Sequence, residues 1–162
     1  MSVNKHLPHV FVLPEDDANR QLANGFLSDH SLFGRTRQIQ VLPVVGGWRE
    51  VLNNFKSDHI SDMDRNAKQF MVLLIDFDGR EGRMEEAQRF IPEHLRERVF
   101  VLGAWTNPED LRRARLGSYE TIGQALANDC REETETTWSH DLLRHNAGEL
   151  NRLWEHVRPI LF

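Results

Sequence analysis

Residues 70–79 read Phe70-Met71-Val72-Leu73-Leu74-Ile75-Asp76-Phe77-Asp78-Gly79. The unbroken apolar run at 70–75 is short for a helix and too uniformly apolar for a strand with one wet face. It predicts a central parallel strand, covered on both sides. Asp76 and Asp78 alternate with Phe77, so extended geometry puts both acids on one side and Phe77 on the other. Gly79 then permits a sharp turn that leaves a ligand close to the backbone.

Upstream, residues 8–13 form a second apolar strand closed by Pro14. Glu15-Asp16-Asp17 open a helix to about Leu27, where three carboxylates suit the positive end of the helix dipole. Residues 38–45 read as another strand, broken by Gly46-Gly47. Trp48, Val51, Leu52 and Phe55 follow at helical spacing, and residues 58–69 read as a polar helix. Downstream come a helix over 83–90, a turn or short helix from Pro92, and a strand over 99–102. Asn107 and Pro108 mark a helix start. A helix is expected over 118–128, with Ile122, Ala125 and Leu126 inward. Ser139 is expected to cap a final helix running through Leu142, Leu143, Leu150, Leu153, Trp154 and Val157.

Strand-helix alternation of this kind predicts an α/β fold with a mainly parallel sheet of about four strands flanked by helices, and a C-terminal helical extension. The chain of 162 residues is expected to be a single domain, with a core at about 8–104 and a helical part at about 105–162. No apolar run approaches the ~18 residues of a membrane span. Residues 1–9 show no secretory pattern, and Cys130 is the only cysteine, so a cytoplasmic location is expected without a membrane partner.

The net charge is −5, from 20 basic and 25 acidic residues. This excludes a binder coated in positive charge. It leaves room for an enzyme whose metal ion reverses the sign of an acidic site. In open α/β sheets, functional groups lie beyond the carboxyl ends of the strands. Glu15-Asp16-Asp17 end the first strand, and Asp76 and Asp78 end the third. Neighbouring strands would bring these carboxylates to one edge, where they repel unless protonated or bridged by a cation. Either cluster alone is explained by helix capping or loop polarity. Together they point to a Mg²⁺ site, because that ion takes oxygen ligands and retains several waters.

A first strand His9-Val10-Phe11-Val12-Leu13-Pro14-Glu15 and a later strand end Asp76-Phe77-Asp78-Gly79 resemble the Toprim domain of topoisomerases, primases and related nucleases. The resemblance spans residues 8–103. It implies that Glu15 is the general acid/base and that Asp76 and Asp78 hold Mg²⁺, or Mn²⁺, with Glu15 and Asp16 in the metal shell. It implies a nuclease acting on phosphodiesters, with DNA as the expected nucleic acid. The closest likeness is to small stand-alone Toprim-like proteins, some of which act with an ATPase partner in antiviral defence. Small size and negative charge add the expectation of a homo-oligomer or such a partner. The chain departs from the pattern where Asp16 replaces a common glycine and where Asn19 stands near the place of a further acid. That departure keeps open a catalytically silent subunit that binds a partner or nucleic acid.

Asp76-Phe77-Asp78-Gly79 also resembles the nucleophile motif of haloacid-dehalogenase-like phosphatases. Two strands precede it here, and Lys5, Lys56 and Lys68 all lie upstream, against that family's pattern. A receiver-like phosphoacceptor is a third, weaker resemblance, since no lysine follows the strand at 99–102.

Arg80, Arg112 and Arg113 are the candidate phosphate contacts, since guanidinium groups grip phosphate bidentately. Arg115 extends the second cluster, and Arg35 and Arg37 form another. A solvated face balanced by Glu109 and Asp110 accounts for Arg112 and Arg113 equally well. Glu120 is read as helix surface, Trp48 as core after a plain Gly-Gly turn, and Cys130 as a buried apolar residue. The apolar tail from Leu150 to Phe162 is expected to cover the sheet.

Overall fold

The computed structural model describes residues 2–35 and 37–162. Four strands, β1 (His9–Pro14), β2 (Ile39–Val41), β3 (Gln69–Leu74) and β4 (Val99–Leu102), form one all-parallel sheet in the order β2-β1-β3-β4. The α/β architecture expected from the alternation is therefore present.

The strands are apolar throughout because both faces are covered. Val10, Val12, Val72 and Phe100 face one core, shared with α1 (Asp17–Leu27), α6 (Tyr119–Glu132) and α7 (Ala147–His156). Phe11, Leu13, Met71, Leu73, Val99 and Val101 face the other, shared with α2 (Trp48–Asn54), α3 (Ile60–Arg65) and α4 (Arg83–Arg89). The chain runs from β1 to β2 on one side, then returns past β1 to β3 on the other. Strand order thus reverses between β1 and β3, which opens a crevice at their carboxyl ends.

Several expected boundaries shift. The strand expected over 38–45 is only Ile39–Val41, and the chain past it leaves the sheet through Pro43. The separate helix expected over 58–69 is the end of a helical run from Trp48 to Arg65, widened by a π turn at Phe55–His59. Ser139 caps no helix. The buried Asp129 carboxylate accepts from the backbone N–H groups of Thr137 and Trp138 and from the Thr134 hydroxyl, which fixes this stretch as turns. The last long helix starts only at Ala147, after a 3₁₀ turn at Arg144–Asn146. Asn107 does cap α5 (Pro108–Arg113), accepting from the Asp110 N–H at 3.0 Å.

The tail packs within the chain: Leu150, Leu153, Val157, Ile160 and Leu161 are buried, the last two on the short α8 (Arg158–Leu161) and the rest on or just after α7. Helix α7 also seals the open edge of β4 with side chains. Glu149 accepts the Val101 N–H at 2.8 Å, and the Asn146 amide exchanges two hydrogen bonds with Gly103 at 3.2 and 3.0 Å. This covers an edge that would otherwise recruit another strand. Among the described residues, no helix is long and apolar enough to cross a membrane.

Helices α1 and α6 touch backbone to backbone. A Cβ on Gly123 would lie 2.1 Å from the Leu22 carbonyl oxygen, and one on Gly25 would lie 2.3 Å from that of Glu120. Neither neighbour is a flexible side-chain end, so the helices must separate to admit a methyl group. Gly123→Ala is expected to destabilise the fold by about 3 kcal/mol or more. Gly148→Ala, in open space on α7, is expected to stabilise by up to about 1 kcal/mol. Urea denaturation of the two variants checks this contrast.

Candidate functional site

The β1–β3 ladder aligns Pro14 with Leu74, and the Glu15 N–H continues it by donating to the Leu74 carbonyl at 2.9 Å. Glu15 therefore leaves β1 beside the end of β3. One of its carboxylate oxygens accepts the Asp76 N–H at 2.6 Å. Asp16 caps α1: its carboxylate accepts the Asn19 N–H at 2.9 Å and the Asn19 side-chain amide at 3.0 Å. The same amide nitrogen donates to Asp76 Oδ1 at 2.9 Å. Asn19 is fully buried and ties the two carboxylates together.

Glu15, Asp16 and Asp76 thus meet at the crevice, as their strand-end positions predict. Asp76 is only 7% exposed. Burial is the main cause that pushes its carboxyl up to about 7, and the charges of Glu15, Asp16 and Asp78 add to it against the Asn19 hydrogen bond. Glu15 is also held above its ordinary value, chiefly by burial, against the Asp76 N–H; Asp16 and Asp78 add to the rise and Arg83 opposes it.

Asp78 lies close enough for its charge to act on both Asp76 and Glu15, and it pairs with Arg83. The Ile75 and Phe77 N–H groups still follow the β3–β4 register, donating to Leu102 and Ala104, and those of Asp78 and Gly79 then donate to Thr106 and Trp105 as the chain turns. Asp78 takes φ 51°, in the left-handed region, and its side chain is half exposed. Phe77 does enter the opposite core, against Trp105 and His145.

Arg83 explains where Asp78 goes. Its guanidinium is 3% exposed and donates to the Asp76 carbonyl and to Asp78 Oδ2, both at 2.8 Å. It lies 3.9 Å over the Trp48 ring, so Trp48 serves as a platform for a cation as well as a core contact. Sequence reasoning passed over Arg83. The available signal was its position: a cation in the first turn of a helix opposes the dipole and needs a specific partner. Asn19, which stands near the expected place of a further acid, instead bridges Asp16 and Asp76.

The candidate phosphate contacts sit outside this cluster. Arg80 is exposed on the turn after Asp78. Arg112 lies over the Tyr119 ring and Arg113 pairs with Asp110 at 3.0 Å, both exposed on α5. Glu120 is exposed on α6, and Cys130 is buried with its thiol pushed up to about 12 by desolvation.

Among the described residues, no three His, Cys, Asp or Glu side chains gather closely enough to hold a metal ion. The crevice does carry buried polar atoms without partners: Asn19 Oδ1, Arg83 Nε and Thr106 Oγ1. No family model, curated protein or solved structure matches the chain.

Folded Asp76 holds its proton up to about 7, whereas the unfolded chain releases it near 3.8. The folded state therefore binds more protons between these values, and stability falls as pH rises through that window. Asp76→Asn keeps the acceptor for Asn19 and removes the charge. Its Tm should match wild type near pH 4 and exceed it by a few degrees at pH 8, as scanning calorimetry across this range would show.

Proposed function

We propose that this chain is a divalent-metal-dependent nuclease, or the nuclease subunit of a larger assembly, acting on nucleic-acid phosphodiesters at the β1–β3 crevice. The observation that carries this reading is the crowding of Glu15, Asp16 and Asp76 at the switch point, where among the described residues no protein cation sits on the Asp76 carboxylate. Such groups call for a proton or an external cation.

Mg²⁺ is commonly held by one or two carboxylates, with water and substrate phosphate completing its shell. Glu15 and Asp76 fit that donor set, with Asp16 adjacent; Mn²⁺ takes the same oxygens. Asp78 pairs with Arg83 through Oδ2 alone, so its half-exposed carboxylate keeps Oδ1 for a further contact. A bound ion would supply Lewis-acid polarisation of the phosphate and a more acidic water. The chain's own residues supply the rest. Asp76, poised near neutral pH, can exchange a proton. The Glu15 oxygen not engaged by the Asp76 N–H can do the same. Arg80 at the rim, with Arg112 and Arg113 on α5, would hold backbone phosphates. The Toprim resemblance supplies the reaction class and DNA as the substrate. A charge of −5 supports grip from a second copy or a partner protein; the resemblance supplies the ATPase as that partner and an antiviral role in the cytoplasm.

One observation favours a second reading, a catalytically silent subunit of the same fold. Arg83 already neutralises Asp78, and Asn19 stands in place of an acid. The phosphatase reading has less support, because the N–H groups after Asp76 are spent on the 104–106 carbonyls rather than free for a phosphate.

Plasmid cleavage with Mg²⁺ or Mn²⁺ tests the nuclease reading. Activity is expected to drop at least about a hundredfold in Asp76→Ala/Asp78→Ala and in Glu15→Gln. Equal activity in all three proteins would overturn it. Absence of cleavage by the wild type, alone and with its ATPase partner, would favour the silent subunit.

A further inference from the structure

Between the sheet and the α1–α6–α7 layer lies a cavity of about 100 Å³. Val12 and Val72 form its floor, and Leu22, Leu126 and Leu153 form its roof. Native cores rarely leave a void much larger than a water molecule. Here the small residues Ala23, Gly103, Ala104 and Cys130 stand in the wall among the leucines and leave the space open.

Its chemistry excludes water as the occupant. A buried water needs two to four polar partners. Every side chain on the wall is apolar or nearly so. The two groups with polar atoms offer little: Trp138 Nε1 is already donating to the Leu126 carbonyl at 3.3 Å, and Cys130 has only a weak thiol donor. The Gly103 backbone on the wall is consumed by the Asn146 amide. Partly exposed Phe26 also lines the cavity, with its ring centroid 6.2 Å from that of Phe162.

We propose that this cavity is a binding site for an uncharged hydrocarbon group about the size of one aromatic ring, with no hydrogen-bonding atom in its buried part. Such a ligand regains the dispersion contacts that the empty wall forgoes, and it binds the folded state alone. It is independent of the acidic crevice and of the proposed nuclease activity.

Benzene is the probe. Near-saturating benzene is expected to raise the Tm of the wild type by a few degrees. It is also expected to shift the methyl resonances of Val12, Val72 and Leu126. Phenol should bind at least about tenfold more weakly, since its hydroxyl finds no partner. Ala23→Leu and Cys130→Leu each add bulk to the wall and should weaken benzene at least about tenfold. The absence of any methyl shift or Tm rise in the wild type would overturn the proposal. So would phenol binding as tightly as benzene, or benzene binding unchanged in both filled variants.

Discussion

Two strands, His9–Pro14 and Gln69–Leu74, pair in parallel along their full length with both faces closed to water. The rest of the molecule is arranged around that pair. Parallel strands need a crossover between them, and here it passes through β2 and the helical run that follows it. Because the pair is buried on both faces, polar side chains can emerge only at its ends. Its carboxyl end is where the chain direction splits, so the helices diverge and leave a crevice. The acids that follow each strand are delivered there by register alone.

The crevice is electrostatically uneven. Asp78 has a buried guanidinium, whereas among the described residues the Asp76 carboxylate has only the neutral amide of Asn19. Arg83 also supports the backbone, because it holds the Asp76 carbonyl and rests on Trp48. One cation thus links the turn after β3 to the helix after β2. The remaining acids, Glu15, Asp16 and Asp76, are crowded and partly desolvated, and that is why Asp76 holds its proton up to about 7.

The two helical layers serve different ends. On one face, α1 and α6 come into backbone contact, and α7 supplies side chains that replace a fifth strand at β4. That layer still leaves an apolar void beside the sheet. On the other face, large side chains including Phe55, Phe77, Met63 and Met71 are completely enclosed.

The architecture was legible along the chain because uninterrupted apolar runs of strand length occur only where a sheet is covered twice. Residues 70–75, 8–13 and 99–102 carried that signal, and the carboxylates at two strand ends located the crevice. Boundaries were less legible where long-range bonds overruled local preference. Asp129 gathers the backbone of residues 137 and 138 from eight and nine positions away, so the cap expected at Ser139 does not form. The site was legible as composition and not as geometry. Glu15 and Asp76 follow from strand register. The turning of Asp78 toward Arg83, the Asn19 bridge and the Trp48 platform depend on contacts between segments tens of residues apart, which no local periodicity encodes. By itself the sequence determined which segments form the sheet and which acids stand at its edge, since burial on two faces constrains every residue of a strand. Only the tertiary structure decided which of those acids holds its proton toward neutral pH and which one is paired, because desolvation and ion pairing arise only after distant segments have packed.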